Sequence, residues 1–429
     1  MPTTHQKLPA TAAALFACAA ASLAPSTARA EPAPLTLEQA VEIALQRNFD
    51  QRRALYTAGQ AEQDKATALA AILPRLDFNA SATKSRIGGG NVLGTIYQPL
   101  TGQTLTQYAP PVQIYPSYAL GFQVRQLLFD GGKWWNNLAA ADANLAGTRE
   151  NLEEQKLNTT YNTEQKFFEL VRQQRQLQVL AEAAVRSRDQ AGFAQRLFEG
   201  GKATQADVYQ ARANRDADEI NRLGQETRVE LARQDLAQTI GVDPAEPLTV
   251  IEPPGLQAQP AVPGNPQELV QKALSSRPAI KAFALFVESQ RKTLAASRGD
   301  YYPVVSLNGS FQRQSRDFSD VTASPEKVSQ LSGSVNLSWN LFQGFATDAA
   351  VRRQEYQVAL SENDLMNGRR GVASDVERAV AQLAGARAQA GVAAQAVVTS
   401  KDGLLFARAR QQVGLGTQLE VRDAELKLT

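Results

Sequence analysis

The chain has 429 residues, enough for two or three ordinary domains or one elongated one. Its 45 Lys and Arg nearly balance 43 Asp and Glu with the signs interspersed, which argues against a nucleic-acid binder. It holds a single His, His5, and a single Cys, Cys18.

Residues 1–30 read as a secretory signal. His5 and Lys7 lie in a short polar start, an apolar run follows from about Ala10 to Ala24, and Ala28-Arg29-Ala30 offers a small-x-small cleavage site. The mature chain then starts at Glu31. A competing reading makes Leu15-Phe16-Ala17-Cys18 a lipoprotein box with Cys18 acylated, which Phe16 fits poorly. Cleavage removes both His5 and Cys18. That excludes Ser-His-Asp hydrolysis, thiol catalysis, His- or Cys-ligated zinc and structural disulfides, but not carboxylate chemistry. Lys7 and Arg29 leave as well, so 43 basic residues face 43 acidic ones and the mature protein is formally neutral. No mature segment approaches the roughly 18–20 unbroken apolar residues of a membrane helix. A membrane-spanning form must therefore be a closed β-barrel.

The chain repeats itself. Ala71-Ile-Leu-Pro-Arg-Leu-Asp-Phe-Asn-Ala-Ser81 aligns with Asp300-Tyr-Tyr-Pro-Val-Val-Ser-Leu-Asn-Gly-Ser310. Leu128-Phe-Asp-Gly131 aligns with Leu341-Phe-Gln-Gly344, and Gly201-Lys-Ala-Thr-Gln-Ala-Asp-Val208 with Gly414-Leu-Gly-Thr-Gln-Leu-Glu-Val421. The first repeat covers 31–240: a helix at about Asp50–Leu73, strands at about 75–84 and 117–129, a long helix at about 133–197 and a return helix at about 205–240. A linker at 241–266 carries Pro244, Pro247, Pro253, Pro254, Pro260, Pro263 and Pro266, which no regular helix tolerates. The second repeat covers 267–429, with strands at about 304–313 and 330–341, a long helix at about 346–411 and a return helix from about 417. By the offset of the first repeat that last helix should reach about 453, so the second copy reads as truncated. The first hairpin is the longer one, its extra residues falling in a Gly- and Pro-rich stretch from about Ile87 to Pro116 that reads as a surface loop.

All four strands alternate. Leu76, Phe78, Ala80 and Ala82 oppose Asp77, Asn79, Ser81 and Thr83, and Leu331, Val335, Leu337 and Leu341 oppose Ser332, Ser334, Asn336 and Asn340. One apolar and one small polar face suit lipid outside and water inside; ordinary soluble hairpins with one buried face are the alternative. Known transmembrane barrels begin at about eight strands, so four strands require oligomerisation, as a dimer of eight or a trimer of twelve. Trp134, Trp135 and Trp339 lie near the strand–helix junctions, as an interfacial aromatic girdle would; plain core packing is the alternative.

The two long helices have no Pro and, at about 65 residues, reach roughly 100 Å. Leu138, Leu145 and Leu152 recur at seven, as do Leu170 and Leu177, which implies bundle packing. The helices turn at Phe198-Glu-Gly-Gly-Lys202 and Val413-Gly-Leu-Gly416, where glycine supplies backbone freedom. Asp207, Glu420 and Asp423 begin the return helices, where acidic groups favour the helix dipole. Glu420 and Asp423 share a face, and three copies around an axis would make an acidic, cation-selective ring.

With these residues in place, the chain resembles the TolC-like outer-membrane efflux proteins over essentially its whole mature length. The resemblance is carried by Leu35-Thr-Leu-Glu-Gln-Ala-Val-Glu-Ile-Ala-Leu45, Leu73-Pro-Arg-Leu76, Leu128-Phe-Asp-Gly-Gly132 and Val413-Gly-Leu-Gly-Thr-Gln-Leu-Glu-Val-Arg-Asp-Ala424. It implies an α+β membrane protein: a homotrimer with a 12-stranded barrel and an α-helical periplasmic tunnel, in the outer membrane of a Gram-negative bacterium. It implies an exit duct for efflux or type I secretion, with no cofactor. The partners implied are outer-membrane lipid, a periplasmic adaptor and an inner-membrane pump of RND, ABC or MFS type. The resemblance places the entrance constriction at Glu420 and Asp423. The tips that meet the adaptor fall on Gly200, Gly201, Lys202, Gly414 and Gly416. A latch carboxylate falls on Asp207, but its Tyr and Arg partners fall on Gln411 and Gly416, which cannot form that ion pair. A coiled-coil adaptor or scaffold without a barrel is the second reading, opposed by the alternating strands. An enzyme is disfavoured by the missing His and Cys and by the lack of a Gly-rich phosphate loop.

Overall fold

The computed structural model describes residues 34–87, 92–108, 112–254, 265–323 and 329–428. The stretch expected to be a secretory leader, with His5 and Cys18, and residues 255–264 of the linker lie outside them.

Thr36 opens α1 (Leu37–Arg47) with a capping box: its hydroxyl accepts from the Gln39 N–H, and the Gln39 side chain accepts from the Thr36 N–H. Asn48 ends α1 and caps α2 (Phe49–Ala70), accepting the Gln51 N–H at 3.0 Å. The strands β1 (Arg75–Ile87), β2 (Val92–Gln98), β3 (Gln103–Tyr108) and β4 (Gln113–Phe129) follow. Helix α3 (Lys133–Glu199) then runs for 67 residues, and α4 (Gln205–Ile240) returns beside it. The second copy comprises α5 (Pro266–Ser276), α6 (Pro278–Arg298), β5 (Val304–Ser315), the short α7 (Phe318–Thr322), β6 (Ser329–Ser338), α8 (Ala346–Gln412) and α9 (Gln418–Leu428). Helix α8, like α3, has 67 residues, or about 100 Å of rise.

The main sheet is antiparallel with order β1-β4-β5-β6. Strands β1 and β6 are its edges. Across it Phe78, Phe122, Phe311 and Leu331 form one apolar row by direct pairing. The stretch expected as a loop from Ile87 to Pro116 departs from that expectation. It holds a second hairpin, β2–β3, closed by a turn in which Gly102 has φ +62°. Strand β6 stops at Ser338 rather than 341, because its partner β5 begins only at Val304, after Pro303, which has no N–H to donate.

The tightest core lies where α1 packs on α3 and α4. It contains Ala40, Ala44, Phe167, Leu170, Ala232, Leu236 and Ile240, all fully or nearly fully buried. Each large side chain there contributes about 1.5–3 kcal/mol of transfer free energy. The matching place in the second copy, where Leu269 and Ala273 of α5 meet Val376, Val380 and Leu383 of α8, is an open apolar groove of about 380 Å³. Helix α6 lies between the long helices. It presses Phe286 against Gly147 of α3 and Phe283 against Gly368 of α8, where a Cβ would come within 2.7 and 2.8 Å of the rings.

Each strand enters its long helix through two consecutive left-handed residues. These are Gly131 (φ +70°) and Gly132 (φ +81°) in the first copy, and Gly344 (φ +60°) and Phe345 (φ +65°) in the second. A Cβ on Gly131 would sit 2.6 Å from the Gly299 carbonyl oxygen, whereas one on Gly344 would meet nothing within 4 Å. Alanine at either site carries the left-handed cost of about 1–2 kcal/mol. Only Gly131→Ala adds a backbone clash, of about 1–3 kcal/mol. Gly131→Ala should therefore lower the thermal midpoint, read by circular dichroism in detergent, more than Gly344→Ala. Equal shifts would contradict this packing.

Candidate functional site

Three places in the chain bring together the residues that the sequence singled out. The first is the sheet. Its alternation puts Asp77, Asn79 and Ser81 of β1, Gln123 and Arg125 of β4, Ser306, Asn308 and Ser310 of β5, and Ser332, Ser334 and Asn336 of β6 on one face. The members on β4, β5 and β6, without those of β1, border a polar concavity of about 600 Å³. The opposite face is apolar and bare: Phe78 is 59% exposed, Leu331 82% and Leu337 66%. Among the described residues, no other element covers most of it. An exception lies at the end away from the helices, where Phe318 of α7 packs edge-on against Tyr118 and the Arg313 guanidinium donates to the Asp320 and Ala323 carbonyls. Leaving so many large side chains bare in water is unfavourable, and a face of this kind marks a membrane or partner surface.

The second place is the strand–helix junction. Trp135 is 65% exposed and Trp339 55% exposed, among exposed Phe129, Tyr302, Leu341 and Phe342. Trp339 donates its indole N–H to the Tyr301 carbonyl at 3.1 Å. Trp134 corrects the expectation of a three-tryptophan girdle. It is only 5% exposed, packs against Trp135 with ring centroids 4.1 Å apart, and donates its indole N–H to the Ala68 carbonyl of α2 at 2.9 Å. Its position, four residues after Asp130, turns it inward under the α2–α3 contact.

The third place is the far end of the long helices, where the two hairpins follow one plan. In the first, the Gly200, Gly201 and Lys202 amides donate to the Arg196, Phe198 and Leu197 carbonyls, with Gly201 left-handed at φ +70°. In the second, the Leu415 and Gly416 amides donate to the Arg410 carbonyl, with Gly414 left-handed at φ +78°. Thr204 and Thr417 then occupy matching positions, and the Asp207 and Glu420 amides donate to their hydroxyls. Val208 and Val421 are the matching buried residues, at 4% and 2% exposure.

The charges differ between the copies. The Asp207 carboxylate accepts from both the N–H and the hydroxyl of Thr204, completing a capping box. Those bonds hold its carboxyl below the usual carboxylate range. The cap is thus intact at neutral pH and is lost only as pH falls through that lowered value. Gln411 and Gly416 take no part in it. Glu420 instead faces Arg410 at 3.9 Å, and Asp423 pairs with Lys427 at 2.6 Å. Each expected constriction carboxylate therefore has a cation of its own chain beside it. The hairpin clasp is also inverted: Arg212 donates to Gln195 at 3.1 Å in the first copy, and Arg408 to Glu425 at 2.9 Å in the second.

A contact that sequence reasoning missed joins the two hairpins. Arg422 of α9 makes a two-pronged bond to Asp218 of α4, at 2.7 and 2.8 Å, with side chains only 15% and 8% exposed. The Asp218 hydrogen bonds raise the guanidinium above its ordinary value. The partners are 204 positions apart, so no local pattern announces them.

The comparisons with known proteins agree with one another. A model of the family described as outer membrane efflux protein matches residues 40–242 and 269–429. The outer membrane efflux protein BepC of Brucella suis is 26% identical over 363 residues, covering 81% of this chain and 75% of that protein. The alkaline protease secretion protein AprF of Pseudomonas aeruginosa is 23% identical over 398 residues, covering 92% of this chain and 79% of that one. Among solved structures, the Campylobacter jejuni CmeC outer membrane channel superposes with a TM-score of 0.77 at 18% identity, covering 91% of this chain and 80% of that one.

Removing either member of the Arg422–Asp218 pair leaves a partly buried charge alone. Asp218→Ala or Arg422→Ala should each cost about 1–3 kcal/mol, less than a fully buried pair because the guanidinium keeps some water. The double variant should cost less than the sum of the two, measured by urea unfolding of the helical signal. Strict additivity would show that the contact contributes nothing.

Proposed function

We propose that this chain, which belongs to the outer membrane efflux protein family, serves as an exit duct of the Gram-negative outer membrane for an efflux or type I secretion system. One observation carries the mechanism. A sheet with a bare apolar face and a polar face runs directly into two helices of about 100 Å. The first part has the surface chemistry of a barrel wall, and the second has the length of a tunnel that reaches away from it.

The sheet has two unpaired edges, β1 and β6. In hydrocarbon each unpaired backbone group costs several kcal/mol, so the edges must meet other copies. Three copies give twelve strands and a lumen lined by the Ser, Asn and Gln side chains. Trp135 and Trp339 then sit at the inner boundary of the lipid, and the helices of three copies close a tunnel below it. The repeats, as units of 31–240 and 267–429 joined by the proline-rich linker, supply the pseudo-equivalent staves.

The tips at Gly200, Gly201, Lys202, Gly414 and Gly416 are the surface offered to a periplasmic adaptor, which couples the duct to an inner-membrane pump of RND, ABC or MFS type. Cargo movement is passive within this chain. Glu420 and Asp423 form the entrance constriction. The closing tie is assigned to Arg422 and Asp218 rather than to Asp207, whose carboxylate is occupied by Thr204.

Reconstituted protein should conduct ions across a planar bilayer, with a preference for cations. Glu420→Ala with Asp423→Ala should move the reversal potential in a salt gradient towards zero and weaken block by multivalent cations. The change should be moderate, because Arg410 and Lys427 already offset part of the charge. Unchanged selectivity would remove the constriction from these residues, and a protein that never conducts would contradict the duct itself.

A further inference from the structure

The polar face of the sheet is not uniformly neutral. Arg75 of β1 pairs directly with Arg125 of β4, Arg125 with Asn308 of β5, and Asn308 with Ser334 of β6. These four residues make one transverse row across the whole sheet. Like charges placed opposite each other on neighbouring strands repel, with side chains about 5 Å apart. Asp77 relieves half of this: its carboxylate accepts from the Arg75 Nε–H at 2.9 Å. Arg125 has no such partner among the described residues. Its Nε–H donates to the Asn308 amide oxygen at 3.3 Å, which fixes the guanidinium to β5 and leaves its other N–H groups unused. In the described strands, the charged side chains on this face are Arg75, Asp77 and Arg125, a surplus of one positive charge per chain.

The surplus cation borders the polar concavity of about 600 Å³, whose lining includes Gln123, Ser306, Asn308, Ser310 and Asn336 but no carboxylate. A planar guanidinium fork beside hydroxyl and amide groups is the arrangement that recognises carboxylate or phosphate oxygens. We infer that Arg125, with Arg75 opposite and Asn308 as its anchor, is an oxyanion station on the polar face of the sheet, where the anionic groups of cargo are held on the way out. This rests on the reading that the polar face lines the channel. The station lies near the helix-side end of the sheet, so cargo meets it after the acidic constriction at the tips.

The test is single-channel recording of the full chain in neutral phosphatidylcholine bilayers, with inorganic phosphate added to both chambers in one arm and acetate in the other. The membrane then supplies no net anionic headgroup, and the two arms separate phosphate from carboxylate binding. Phosphate should partly block the wild-type current. Arg125→Gln should raise the half-blocking concentration about fivefold to tenfold, and Arg125→Lys, which keeps the charge but not the fork, should fall between. Asp77→Asn, which frees a second cation, should lower that concentration. A trimer-sized, heat-modifiable band shows that each variant is assembled, and the Asp77 variant carries the test independently if Arg125→Gln does not assemble. Normal conduction with the same phosphate response in wild type, Arg125→Gln and Asp77→Asn would overturn the station while leaving the duct intact. Absence of conduction in the wild type would overturn both.

Discussion

The backbone N–H and C=O groups along the outer edges of β1 and β6 constrain everything else. A sheet whose apolar face is bare and whose two edges are open is stable in neither water nor lipid as a single copy. Either the edges find partners or the strands do not hold. Closing the sheet through further copies satisfies the edges, puts Phe78, Leu331 and Leu337 into hydrocarbon and encloses the polar face, all in one step. The strand–helix junction then becomes a fixed ring. The two left-handed residues at each entry set the direction in which α3 and α8 leave it.

Duplication explains how one chain supplies two kinds of stave. The copies keep the backbone plan down to single positions: Thr204 with Thr417, Val208 with Val421, Gly201 with Gly414. They differ in the charged groups at the hairpins. The Asp207 carboxylate is spent on its own helix start, whereas the Glu420 carboxylate, at the same position, faces Arg410 while the Glu420 amide still donates to Thr417. The Gln195–Arg212 and Arg408–Glu425 clasps occupy the same place with donor and acceptor exchanged. Tyr209 stands in the first hairpin where Arg422 stands in the second, and the Arg422–Asp218 pair ties one hairpin to the other.

Much of the architecture was legible in the sequence because it is periodic. Two-residue alternation, unbroken helical stretches and the repeat itself are each visible without contacts. What escaped was non-periodic or distant. The β2–β3 hairpin lies in a stretch rich in Gly and Pro, although Thr95 and Tyr97 on one side and Thr104 and Thr106 on the other alternate around the Pro99–Gly102 turn and could have signalled it. Trp134 looked like its neighbour Trp135, and only the approach of α2 turns one inward and leaves the other bare. The facing of Arg75 and Arg125 needs the strand register, and Arg422–Asp218 needs α9 brought within reach of α4; neither follows from spacing.

If β6 of one copy pairs with β1 of the next, cysteines placed on the two strands will cross-link, and the chain has no cysteine besides Cys18 to interfere. Asn79→Cys on β1 would be combined in turn with Ser332→Cys, Ser334→Cys or Asn336→Cys on β6, and the membranes oxidised before denaturing electrophoresis. At least one combination should give a covalent species of three chains, reversed by reductant and absent from either single variant. Monomers alone in all three combinations, from protein that is present in the outer membrane, would contradict that pairing.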